Sequence, residues 1–148
     1  MTELGASRQS VVVAIIRVLM IFDTVALLFA AALHVAGARI PLGSAVFEEP
    51  QIVPAAIVEG LAGLIFLVGA YAVFAGKSWA WTSALSAHIF AVAGFLLGIV
   101  ATRSGTSLFN TVYHWVMLVV FLAGIVLLVT RPAQAGLGRG ARAARTAA

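Results

Sequence analysis

Four apolar runs divide this chain, and its polar residues gather in the gaps between them and at the two ends. The runs cover about residues 11–36, 52–75, 79–101 and 108–130. A hydrocarbon core about 30 Å thick needs about 20 helical residues at a rise near 1.5 Å each, so every run is long enough to cross it. The pattern predicts an all-α fold: an integral membrane four-helix bundle threaded antiparallel, up-down-up-down. A cleaved signal peptide is the competing reading of the first run. An apolar signal core is about 7–15 residues long, whereas this run is longer and carries Arg17 within it, so a retained helix is expected.

The gaps set the organisation. Residues 37–51 form the longest loop, where Pro41, Gly43, Glu48, Glu49 and Pro50 supply turn formers and charges. Pro54 falls in the first turn of the second helix, where its missing N–H has no helical partner to lose. Gly76, Lys77 and Ser78 make a tight connection that predicts neighbouring second and third helices. Arg103, Ser104 and Gly105 separate the third and fourth. Residues 1–10 read as a cytoplasmic N-terminal segment, 11–131 as the four-helix domain, and 132–148 as a basic tail without apolar periodicity, expected to be disordered.

Composition agrees with a lipid solvent: 63% of the 148 residues are hydrophobic and only 9% are charged. With no cysteine, disulfides, thiolate metal sites and cysteine nucleophiles are excluded. Nine Lys and Arg against five acids give a formal charge of +4, and position matters more than total. Arg8, Lys77, Arg131, Arg139, Arg142 and Arg145 fall on the side of the termini with Arg17 close by, whereas Arg39 and Arg103 lie opposite. Both termini are therefore expected in the cytoplasm, with the protein in the cytoplasmic membrane. The charges lack aromatic interleaving, which argues against a nucleic-acid partner. There is no P-loop, GxGxxG or GxSxG, so no enzyme class is assigned.

Lipid tails are as apolar as leucine, so helix association rests on close packing and polar contacts. Ala84, Ala87, Ala91, Gly94 and Gly98 form a small-residue stripe on the third helix, and Ala56, Gly60, Gly63 and Ala70 another on the second. They could join helices within one chain or make a homo-oligomer. Ionisable groups inside a membrane are expensive, about 2.5–3.5 kcal/mol on insertion scales, and normally face a bundle interior. Counting depth along the helices puts Asp23 and His88 in one layer near the midplane and Glu59 with His114 in a second, with His34 nearer the outer face. Asn110, Tyr113, His114 and Met117 share a face of the fourth helix.

Two readings follow. In one, these groups form an interior carboxylate/histidine site for proton exchange or for a redox molecule such as a quinone. In the other, they are interhelical contacts that fix register. Haem is disfavoured because His88 and His114 differ by about 10 Å in the depth count, and no metal is expected because no helix carries ligand spacing for one.

Arg17 opening the first helix, Gly37 at its end, a loop with Pro and Gly, and Glu59-Gly60-x-x-Gly63 with Gly69 beyond resemble the DoxX-like family of small bacterial four-helix membrane proteins, over a stretch from Arg17 to Gly98. The resemblance implies an accessory role beside a membrane or cytoplasmic oxidoreductase, in some members linked to quinone reduction or thiol balance. It carries over Glu59 and its glycines. His34, His88 and His114 match no motif of that family. The expected function is thus a subunit or module in membrane electron or proton transfer, and the alternative is a non-catalytic membrane adaptor or small-solute carrier.

Overall fold

The computed structural model describes residues 3–101 and 108–138. It is an all-α bundle of four long helices, α1 (Glu3–Ala36), α2 (Val53–Phe74), α3 (Ala80–Ala101) and α4 (Leu108–Leu128), with a short α5 (Arg131–Gly136) and one hairpin of β1 (Ala38–Leu42) and β2 (Ala45–Glu49). Apolar stretches of 32, 22, 21 and 21 residues make each long helix capable of crossing a bilayer. Side chains on the outer faces are apolar, among them Val18, Leu97, Val119 and Val126, so the surface suits lipid and the chain is a multi-pass membrane protein.

Small residues let the backbones approach. Ala84, Ala87 and Ala91 are buried along α3, as are Ala56 and Ala70 on α2. Gly63 receives the side chain of Leu28, Gly69 that of Met20, and Gly94 that of Val58. These glycines join helices within the one chain. Residue 20 lies beside 69 and 28 beside 63, so contacts run in opposite order along α1 and α2. Ile16, Met20, Leu27, Phe66, Phe95, Phe121 and Leu128 fill the centre.

Three segments differ from the sequence expectation. The first helix begins at Glu3 rather than near Val11, because Ser7, Arg8, Gln9 and Ser10 continue the turn although they are too polar to extend the apolar run. At 34 residues it is about 51 Å long, well beyond one bilayer core. The long loop folds into a hairpin, closed by a two-residue turn at Gly43 and Ser44 in which Gly43 takes φ +66°. Residues 132–136, expected in the disordered tail, are helical as part of α5: the Thr130 hydroxyl caps Ala133 N–H at 3.4 Å and Gly136 packs against Val13 and Gln9 of α1. The tail from 139 onward and the α3–α4 connection lie outside the described residues.

Candidate functional site

Two clusters of buried ionisable groups stand out among the described residues. The central one joins α1 to α3. Asp23 is fully buried and its Oδ2 lies 3.5 Å from His88 Nε2, so the structure brings together the pair that the depth count put in one layer. His88 Nδ1 lies 2.8 Å from the carbonyl oxygen of Ala84, one turn back. A carbonyl only accepts, so Nδ1 carries the proton and Nε2 is the nitrogen that faces the acid. Phe66 packs on the imidazole at 4.8 Å between ring centres.

The second cluster lies where α1, α2 and the hairpin meet. His34 Nδ1 is 2.7 Å from Glu59 Oε2 and His34 Nε2 is 3.3 Å from Glu49 Oε1. All three residues are buried, at 2–3% exposure, so His34, in the last turn of α1, points into the bundle. The ring thus bridges two acids, with a carboxyl oxygen beside each of its nitrogens. That use of both nitrogens leaves neither free to ligate a metal, and among the described residues no set of three metal-ligating side chains is grouped for an ion.

Glu59 thus takes His34 as its partner, where the depth count gave it His114. The count followed backbones only. Ile52 N–H donates to the carbonyl of His34 at 3.0 Å, which sets the start of α2 beside the last turn of α1. Side chains tilt toward their own helix N-terminus, so in helices whose contacts run in opposite order His34 and Glu59 lean toward each other and close the gap. Glu49 escaped the sequence reading because Glu48 and Glu49 look alike as loop charges. Strand alternation separates them, burying Glu49 and exposing Glu48.

His114 repeats the pattern of His88. Its Nδ1 lies 2.8 Å from the carbonyl of Asn110, one turn back, so Nδ1 donates and Nε2 is the nitrogen at the ring tip. A Cβ at Gly98 would stand 2.7 Å from His114 Nε2, and one at Gly124 would collide with His88 Nε2. Each histidine of one helix therefore seats its ring tip on a glycine of the other. His88 and Gly98 are ten positions apart, and so are His114 and Gly124. Because contacts along α3 and α4 run in opposite order, equal spacing lets both seats form at once. Gly98, singled out as a packing residue, is the seat of His114, while Gly124 was missed although the repeated spacing was visible. Ten residues of helix are about 15 Å, too far for the two imidazoles to share one haem iron.

A pocket of about 220 Å³ opens beside the second cluster, between the first turns of α2 and the facing ends of α3 and α4. Its walls include Ile52, Pro54, Ala55, Val58, Phe95 and Leu97, and its polar lining is Glu59, Asn110 and His114. Glu59 Oε1, the oxygen not held by His34, is buried without a hydrogen-bond partner among the described residues. Tyr113 Oη is likewise buried and unpartnered, with its ring against Phe95 and His114. Gly60 is close to Ala31 and Gly63 to Leu28, so the two glycines near Glu59 let α1 approach the site. An apolar pocket with a few convergent polar groups is the usual form of a small-molecule site. Comparison with protein-family models, with curated proteins and with solved structures gives no match for this chain.

Proposed function

We propose that this multi-pass membrane protein holds a small lipophilic molecule in the pocket beside Glu59 and His114 and serves as an accessory module in electron or proton transfer. The observation that carries the reading is Glu59: a buried carboxylate with one oxygen fixed by His34 and the other unpartnered among the described residues, at the wall of an apolar pocket. Unsatisfied polar groups are costly inside a membrane, and ionisable ones there mark functional sites by default. A quinone–quinol pair is the ligand class that joins an apolar body to a polar rim, and the hydroxyls of its reduced form can use Glu59, Asn110 and His114. The resemblance around Glu59 to the DoxX-like family supports a redox setting and an oxidoreductase partner. The excess of basic residues beside the termini supports an up-down-up-down path through the cytoplasmic membrane with both termini inside.

The test is an absorption spectrum of the detergent-purified protein, oxidised and then dithionite-reduced, with mass spectrometry of extracted small molecules. A bound quinol or its quinone, lost in His114→Leu in a variant that still inserts, is the expected result. A protein that is empty under every preparation, or that keeps its bound molecule in that variant, overturns the redox reading and favours the adaptor or carrier.

A further inference from the structure

The chemistry of the pocket restricts what enters it. His114 Nδ1 donates to the Asn110 carbonyl, so Nε2 is the nitrogen the ring presents. Glu59 gives one oxygen to His34, and its other oxygen has no hydrogen-bond donor among the described residues. Two acidic side chains thus meet one imidazole in a buried place. From these observations we infer that the pocket takes the hydrogen-bond-donating form of its ligand: an aromatic ring bearing a hydroxyl, as in a phenol or hydroquinone, rather than the carbonyl-only oxidised ring. This rests on the pocket being a ligand site and deepens that reading by naming the head group.

The physical reason is an asymmetry of cost. A hydroxyl at Glu59 Oε1 completes the coordination of a buried acceptor, and a hydrogen bond to a charged group is among the stronger kinds. A carbonyl or ether oxygen at the same place sets lone pair against lone pair and leaves both unsatisfied. The walls formed by Val58, Phe95 and Leu97 fit the ring and the start of an alkyl tail, the rest of which continues into lipid. Gly98 takes part through His114, since any side chain there would push the imidazole from its place.

A redox-silent pair of probes isolates the donor. 4-Hexylphenol and 4-hexylanisole have nearly the same shape, and only the phenol has an O–H. Binding of tritiated 4-hexylphenol to the full chain in lipid nanodiscs, with empty discs subtracting partition, is competed by unlabelled phenol or anisole. The phenol is expected to compete at least about tenfold better, as a charge-assisted hydrogen bond requires. In Glu59→Gln the amide oxygen takes the place held by His34, which turns the amide N–H₂ toward the vacant side. The preference should then fall to about twofold or less, because both probes can accept from an amide. Ala55→Leu, which fills the pocket wall, should remove both probes. Equal competition by phenol and anisole in the wild type, with both lost in Ala55→Leu, overturns the donor inference and leaves the pocket reading standing. Absence of saturable binding by either probe overturns both. Retention of the full phenol preference in Glu59→Gln also overturns the inference, since Glu59 is the acceptor it names.

Discussion

Gly124→Ala is the smallest change that reaches the central polar pair. The added methyl group would fall on His88 Nε2, and the imidazole has little freedom to yield because Phe66 and Phe121 lie around it and Ala84 holds its other nitrogen. Either α3 and α4 move apart or the ring turns away. Overpacking of a close-packed interior costs about 1–3 kcal/mol. Turning the ring breaks the bond to Ala84 and strands a buried donor, about 1–3 kcal/mol, and also removes the imidazole from Asp23. Alanine is the better helix former by about 1 kcal/mol, which offsets part of this. The expected net loss by either route is therefore up to about 2 kcal/mol, on the same terms. Gly60→Ala is the control: its methyl group would meet only the Cβ of Ala31 at 3.8 Å, an ordinary contact, so stability should hold or rise slightly. Reversible unfolding in mixed micelles with increasing SDS fraction measures both. His88→Ala supplies the decisive comparison, because without the ring Gly124→Ala has nothing to strike and its cost should vanish. Equal cost with and without His88, or a cost no greater than that of Gly60→Ala, would refute the account of the glycine seat.

Four further outcomes are expected. Glu59→Ala removes the 2.7 Å partner of His34 and should destabilise the bundle by about 3 kcal/mol, as loss of one member of a buried pair does. Glu49→Ala breaks the longer 3.3 Å contact and should cost less, about 1–2 kcal/mol, in the same titration. Thr130→Ala removes the cap of α5 and should speed amide exchange across residues 131–136 by about fivefold or more, with α2 and α3 unchanged. The chain has no cysteine, so Ser44→Cys and Ser78→Cys each give a single label site. An impermeant maleimide should reach residue 44 from outside intact cells and residue 78 only after lysis, and the reverse pattern would invert the proposed topology.

The long helices were legible because lipid imposes a strong condition: every span must be apolar for about 20 residues and must satisfy its backbone internally. Length and hydropathy therefore sufficed for α1 through α4, and the stripes of small residues indicated where backbones approach. Asp23 and His88 could also be matched by depth, because both side chains leave their helices near the centre of the span. Where polar and structured residues share one composition, the sequence was silent. Glu48 and Glu49 became distinguishable only through the hairpin register, and Ser7 to Ser10 read as tail although α1 runs through them.

What the sequence by itself determined is the class: four apolar helices in a membrane, with carboxylates and imidazoles inside them. Only the tertiary structure decided which of those groups meet. His34, rather than His114, reaches Glu59 because side-chain tilt adds to backbone depth, and Glu49 joins them because a strand pairing turns it inward. The seating of His88 on Gly124 and of His114 on Gly98 depends on the relative order of contacts along α3 and α4. Apolar periodicity reports how far each residue lies from lipid, but the partner of a buried polar group is set by the angle and offset between helices, which no single helix encodes.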